Sequence, residues 1–283
     1  MVDPRGGMSS RLPTLIVVLA MLAQTGCGFL SGTRGTGDGP GAPIAVDEIE
    51  ELTPRAEPYS KYGNPESYVV LGKRYYTLKN AQGFTEQGIA SWYGSAFHGR
   101  RTSSGEPYDM YRMTAAHKQL PLPTYVQVRN LDNGRSATVK VNDRGPFHDN
   151  RVIDLSYAAA LKLGVVSKGT AFVQVRALDA SGEPGAIIAQ TETQARIEPS
   201  PDRSSSGLYI QVGAFQDRNN ALRMSQEISR AIPDDGVHIQ ELMSNGKRYY
   251  RVQIGPIADV ARADKVAGSL VSIGVRQHTF VTR

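Results

Sequence analysis

Residues 137–164 read ATVKVNDRGPFHDNRVIDLSYAAALKLG. The run opens on strict alternation, Ala137 to Val141, the period of a strand with one face buried. It changes character at Asn142 and Asp143, which favour turns, and at Gly145-Pro146, which end regular structure. It closes on SYAAALKLG, a short helix with Ser156 placed as N-cap and Gly164 as stop. A strand, a polar turn and a short helix belong to a β-rich module. Asp143 is then either a solvated turn residue paired with Arg144 or a carboxylate held at the end of a strand.

Further strand patterns lie on both sides: SYVVLG, KRYYTL, GIASWYG, TYVQVRNL and AFVQVRAL, with Ser-Gly (104–105) and Asn-Gly (133–134) as turn signals. The last 77 residues change pattern. GLYIQVGAF, VHIQELM, YYRVQIGP and VRQHTFVTR read as strands. Residues 219–232 and 261–274 carry apolar side chains at helical spacing. The order β-α-β-β-α-β describes a ferredoxin-like α+β sandwich with both helices on one sheet face. The other face is left for a ligand. The expected fold is therefore mixed, a mainly β module over 66–180 and an α+β module over 207–283. Residues 181–206, rich in Ser, Pro, Gly and Glu, join them as a disordered linker.

The N-terminus reads as an export signal. Arg5 and Arg11 precede LPTLIVVLAMLA, and small residues lead to Cys27. Twelve apolar residues are too few for a membrane-spanning helix, which needs about 20. Cys27 is the only cysteine, which excludes an internal disulfide. Its position marks a bacterial lipoprotein signal over 1–27 with Cys27 lipidated, although Gln24 stands where such signals carry an aliphatic residue. Residues 28–65 begin Gly-rich and read as a flexible tether. The net charge is +5, with 15 Lys/Arg against 9 Asp/Glu over 66–180 and 10 against 7 over 207–283. Two basic modules attract a polyanion. With no zinc spacing, no Lys/Arg run and no RNA-binding aromatics, and with the chain exported, anionic wall polymer fits better than nucleic acid.

Between 88 and 130 the first module is dense in reactive groups: Tyr93, His98, Thr102, Ser104, Glu106, Asp109 and His117. Trp92 and Tyr93 are core or rim aromatics, or platforms for a sugar. His98 and His148 face solvent, and His117 can be satisfied by backbone. The histidines lack metal-ligand spacing, so no metal and no cofactor are expected. Arg100, Arg101 and Arg144 are either solubilising charge or attraction for acidic sugars.

The runs from GIASWYG through TSSGEPYDM, TAAHKQLPLPTY and VKVNDRGPF to SYAAALKLG closely resemble the rare lipoprotein A family, bacterial septal-ring proteins that act on peptidoglycan. The resemblance implies a double-psi β-barrel over 66–180. Residues 207–283 resemble the sporulation-related repeat, SPOR, a peptidoglycan-binding module. It further implies lytic transglycosylase activity on glycan strands lacking stem peptides. The family's proposed site residues fall on Glu106, His117 and Asp143, with Tyr93, Thr102, Ser104 and Arg144 beside them for substrate. Breaking a glycosidic bond needs a proton for the departing oxygen and stabilisation of oxocarbenium-like charge. On this reading Asp143 is the general acid/base, Glu106 positions substrate or stabilises charge, and His117 orients one of them. The two acids can exchange roles. The SPOR resemblance implies glycan contacts from Gln211, Phe215, Asn220, Tyr250 and Arg251, although strand alternation sends half of such residues into the core. The expected setting is an outer-membrane lipoprotein facing the periplasm and enriched at the division septum. There it cleaves MurNAc-GlcNAc bonds to 1,6-anhydroMurNAc ends beside divisome proteins. The alternatives are a non-catalytic septal scaffold and a hydrolase giving reducing ends.

Overall fold

The computed structural model describes residues 39–148, 150–179, 207–244 and 246–282. The signal segment with Cys27, the tether up to residue 38 and the linker 181–206 lie outside the described residues.

Six strands close into a barrel: β3 (Thr85–Tyr93), β4 (Thr114–His117), β5 (Thr124–Asn130), β6 (Ser136–Asp143), β7 (Arg151–Ser156) and β8 (Ala171–Ala177). Their order around the barrel is β3-β7-β4-β6-β5-β8. β3 with β7 and β4 with β6 are parallel pairs; the other pairs are antiparallel. Ile153, Leu155, Ala115, Val126, Val128, Val139, Val141, Val173 and Val175 fill the interior, every one of them buried. Closure pairs every strand on both sides, so no barrel edge is left to associate. Helix α1 (Tyr157–Leu163) covers one end. Ser156 Oγ accepts from the Ala159 N–H at 3.2 Å, and Gly164 takes the left-handed conformation (φ 71°) that ends it.

β4 and β7 have no counterpart among the strand patterns read from the sequence. Each is short, and β7 places Asp154 between Ile153 and Leu155, where a carboxylate masks the strand signal. A small antiparallel hairpin, β1 (Ser67–Val70) and β2 (Lys73–Tyr76), stands beside the barrel.

Residues 39–65 depart from the expected tether. They form a strap on the barrel, with a 3-10 turn η1 (Val46–Glu48). Ile49 is buried in the barrel's core cluster, and Ile44 and Leu52 pack against it. Ser60 N–H donates to the Leu122 carbonyl at 2.7 Å, and Asn64 exchanges two hydrogen bonds with the Leu122 backbone. Three apolar side chains with a surface to bury, and backbone groups with partners, outweigh the entropy that would keep a tether free.

The second module is a four-stranded antiparallel sheet. Its strands are β9 (Leu208–Phe215), β10 (Val237–Ser244), β11 (Lys247–Ile257) and β12 (Thr279–Thr282), in the order β10-β11-β9-β12. Helices α2 (Arg218–Ala231) and α3 (Val260–Ser272) pack Ala221, Ile228, Ala263, Val266 and Leu270 against Ile210, Val252 and Ile254. Asp217 and Asp259 cap them through side-chain bonds to backbone N–H groups. The modules touch where Arg151 meets Asp264 in a bidentate pair at 2.9 and 3.0 Å, and where Phe172 faces Phe280.

Candidate active site

Four adjacent barrel strands bring one row of residues together. Ser91 is in register with Asp154, Asp154 with Ala116, and Ala116 with Asp143. Register partners on neighbouring strands project from the same face. The preceding row, Ala115 with Val141 and Leu155, points into the core, so Ser91, Asp154, Ala116 and Asp143 line the outer face. The register of β4 on β6 shifts between Ala115 and Ala116, leaving Asn142 as the extra residue of a bulge. That shift aligns Asp143 with Ala116. The result is two carboxylates in one row on either side of the buried Ala116.

The two carboxylates differ in their surroundings. Asp143 receives three donors on Oδ1: Ser103 N–H at 2.8 Å, Ser103 Oγ–H at 2.6 Å and Arg144 N–H at 2.7 Å. Three donors on one oxygen fix the orientation of the carboxylate. Asp154 accepts on Oδ1 from the Ser91 Oγ–H. Burial raises the Asp154 carboxyl above the ordinary aspartate value, against the opposing Ser91 bond and the charges of His148, Arg151 and Lys118. Beside it opens a cleft of about 490 Å³ lined by Ser91, His148, Asn150, Arg151, Thr170 and Asp264. Tyr93 lies behind the row, stacked on Tyr108 at 4.2 Å. Its hydroxyl is pushed well up by burial, then by Tyr108 and by the negative charges of Asp143 and Asp154, which both reach it.

Glu106 sits at the end of the loop that holds Asp143. Lys140 Nζ donates to its Oε1 and Asn142 Nδ2 to its Oε2, each at 2.8 Å. Burial raises its pKa, but these two bonds outweigh it and hold the carboxyl below the ordinary value. Thr102 and Ser104 build this loop. Thr102 N–H and Oγ–H both donate to the Glu106 carbonyl, and Ser104 N–H donates to the Asn142 carbonyl. Gly105, at φ 94°, makes the turn that an L side chain would strain.

His117 and Arg144 are placed otherwise than expected. The His117 ring is buried; its Nδ1 accepts from the Gln119 and Leu120 N–H groups, so Nε2–H donates to Glu86 at 3.0 Å. Burial lowers its pKa, with Glu86 opposing. Its hydrogen bonds thus run to Glu86 and backbone, not to Asp143 or Glu106. The Arg144 guanidinium turns from Asp143 to the carbonyls of Gly63, His117 and Leu120 and to Asn64 Oδ1, tying strap to β4. It walls a cavity of about 400 Å³ with Tyr68, Val70, Phe147 and Ser103.

In the second module, Phe215 and Tyr250 are register partners that pack into the core beneath the helices. Gln211 lies between the core residues Ile210 and Val212, and Arg251 between Tyr250 and Val252, so both belong to the sheet face away from the helices, where Gln211 pairs with the buried Gln253. Asn220 is exposed on the first turn of α2, where it bonds Arg223 and gives its N–H to the cap Asp217. Sequence reasoning missed Asp154, Ser91, Lys140 and Glu57. For Asp154 the available signal was an acid between Ile153 and Leu155 directly before a capped helix.

A family model described as "Lytic transglycolase" matches residues 85–175, and one described as "SPOR domain" matches 204–281. The chain is 41% identical over 246 residues to the endolytic peptidoglycan transglycosylase RlpA of Vibrio cholerae, covering 86% of this chain and 87% of that protein. It is 37% identical to the protein of the same name from Pseudomonas aeruginosa, covering 89% and 88%. The crystal structure of the RlpA SPOR domain from Pseudomonas aeruginosa is similar at 29% identity, covering 26% of this chain and 97% of that one, with a TM-score of 0.26.

Proposed function

The chain belongs to the family of the endolytic peptidoglycan transglycosylase RlpA, and from that premise we propose which bond it breaks, with which residues and where. It is a lytic transglycosylase with a peptidoglycan-cleaving double-psi barrel and a SPOR domain. The bond is the MurNAc-GlcNAc linkage of strands stripped of stem peptides, and the product is a 1,6-anhydroMurNAc end.

The observation that carries the role assignment is the pair of carboxylates flanking Ala116 in unlike surroundings. Asp154, raised by burial, keeps its proton to higher pH than an ordinary aspartate and gives it to the departing GlcNAc oxygen as the C1–O bond breaks. Asp143, fixed in orientation by three donors, faces the positive charge that develops at C1. The Asp154 carboxylate then takes the proton of the MurNAc C6 hydroxyl as that oxygen closes on C1. The proton count balances without water. Glu106, held by Lys140 and Asn142 beside Asp143, accepts hydrogen bonds from sugar hydroxyls. Asp143 moves from the acid role to charge stabilisation because three donors converge on one oxygen and hold the carboxylate in place. Gln211 and Arg251 on the open SPOR face hold the same glycan and bring the enzyme to the septum, where daughter cells separate. Lipidation at Cys27 anchors it to the outer membrane. No helix of the described residues is long and apolar enough to cross a membrane.

The test is digestion of amidase-treated peptidoglycan by the full chain, with mass spectrometry of the soluble products. Anhydro ends are expected from the wild type. Asp154→Asn and Asp143→Asn, both isosteric, should each lower turnover by about 10²- to 10⁴-fold with folding unchanged by circular dichroism. Reducing ends would replace the transglycosylase with a hydrolase. Wild-type turnover in Asp154→Asn would remove Asp154 from the acid role.

A further inference from the structure

Lys140 is shared between two carboxylates from different parts of the chain. Its Nζ lies 2.8 Å from Glu106 Oε1 and 2.9 Å from Glu57 Oε2, and its side chain is only 13% exposed. Glu57 belongs to the strap, outside the barrel and outside the region matched by the transglycosylase family model. The other Glu57 oxygen accepts from Arg55 Nε at 2.7 Å and from the Tyr125 hydroxyl. Lys140 and Asn142 both rise from β6, two residues apart, and together they grip both oxygens of Glu106. The strand that carries Asp143 therefore also fixes Glu106.

One largely buried cation cannot serve two anions independently. We propose that Glu57 is a positioning residue for the cleavage reaction: by sharing Lys140 it sets how firmly Glu106 is held beside Asp143, which makes the strap a working part of the active site. This rests on the reading that Glu106 serves that site. The groups facing the pair are Lys140 and Asn142 from β6, Glu57 and Arg55 from the strap, Tyr125 from β5, and Arg101, which donates to the Gly105 carbonyl in the Glu106 loop. Burial lowers the Lys140 ammonium, but its bonds to Glu106 and Glu57 hold it above the ordinary value. The Glu57 charge opposes the lowering of Glu106.

The consequence is a pair of shifts with opposite sign. Without Glu57 the whole cation falls to Glu106, which becomes more acidic. Without Lys140, Glu106 keeps Asn142 and faces Glu57, and becomes less acidic. A merely structural strap leaves the Glu106 midpoint in place when Glu57 loses its charge.

The experiment is a ¹³C carboxyl NMR titration of Glu106 in the full chain, paired with the pH profile of turnover on amidase-treated glycan. Glu57→Gln should lower the Glu106 midpoint and Lys140→Met should raise it, each by about 0.5 pH unit, the size expected of a charge a few ångströms away near the surface. The acid limb of kcat/KM should follow in the same directions, and Glu57→Asp should restore most of the wild-type profile. Lys140→Gln also removes the cation and serves if Lys140→Met does not fold. A Glu106 midpoint that stays in place, or moves the same way in both variants, overturns the proposal at the network. A midpoint that moves as expected while Glu106→Gln turns over at the wild-type rate overturns it at the reading of Glu106 instead.

Discussion

Asp143 ends β6 and Asp154 lies within β7, and what surrounds each separates their chemistry. Three donors converge on one oxygen of Asp143, whereas Asp154 is half-buried with Ser91 as its hydroxyl partner. A residue's type offers chemistry, and its desolvation and donors choose among the options. The same reasoning separates neighbours in the second module. Tyr250 is 8% exposed in the core and Arg251, the next residue, lies on the open face. Tyr250→Ala should therefore cost about 3–5 kcal/mol, the range for deleting a large buried aromatic, read by chemical denaturation. Arg251→Ala should leave the melting temperature within a degree or two and weaken co-sedimentation with stripped sacculi several-fold. Asp143 and Glu106 were legible as acids in polar loops, because turn residues announce themselves. Asp154 was not, because an acid between Ile and Leu reads as an interruption until the strand pairing shows what it faces.

At the scale of elements, the strap departs most from the sequence reading. Its Gly-rich start gives way to Ile44, Ile49 and Leu52, which pack with the barrel core, and to Glu57, whose carboxyl is held at about 2. Burial raises that value, and the bonds from Tyr125, Arg55 and Lys140 outweigh it. The folded pKa lies below the ordinary 4.5, so the contribution of Glu57 to stability is fully present above about pH 4.5 and is lost as pH falls toward about 2. Thermal melts across that window should show the wild type losing stability faster than Glu57→Gln. Equal slopes would mean that the strap is not held by this carboxylate. β4 and β7 likewise escaped the sequence, being four and six residues long. A closed barrel satisfies short strands by pairing each on two sides, and periodicity over so few residues cannot report that.

For the whole molecule, both modules carry excess positive charge, which favours an anionic polymer. Binding to stripped sacculi should weaken several-fold between roughly 0.05 and 0.5 M salt, as the screening length falls. Salt-insensitive co-sedimentation would assign recognition to hydrogen bonds and stacking alone. The module order, the β-α-β-β-α-β pattern of the second module and the capped helix at 157–163 followed from the sequence by itself, because alternation, helical spacing and caps are local and recur along the chain. Which acids face one another did not. Asp143 and Asp154 are aligned only through Ala116 on a strand between them, and a one-residue bulge at Asn142 sets that alignment. Lys140 reaches Glu57 across 83 residues of sequence. Register between distant strands and the burial it creates are properties of closure, so they, and the pKa differences that follow, were decided by the tertiary structure.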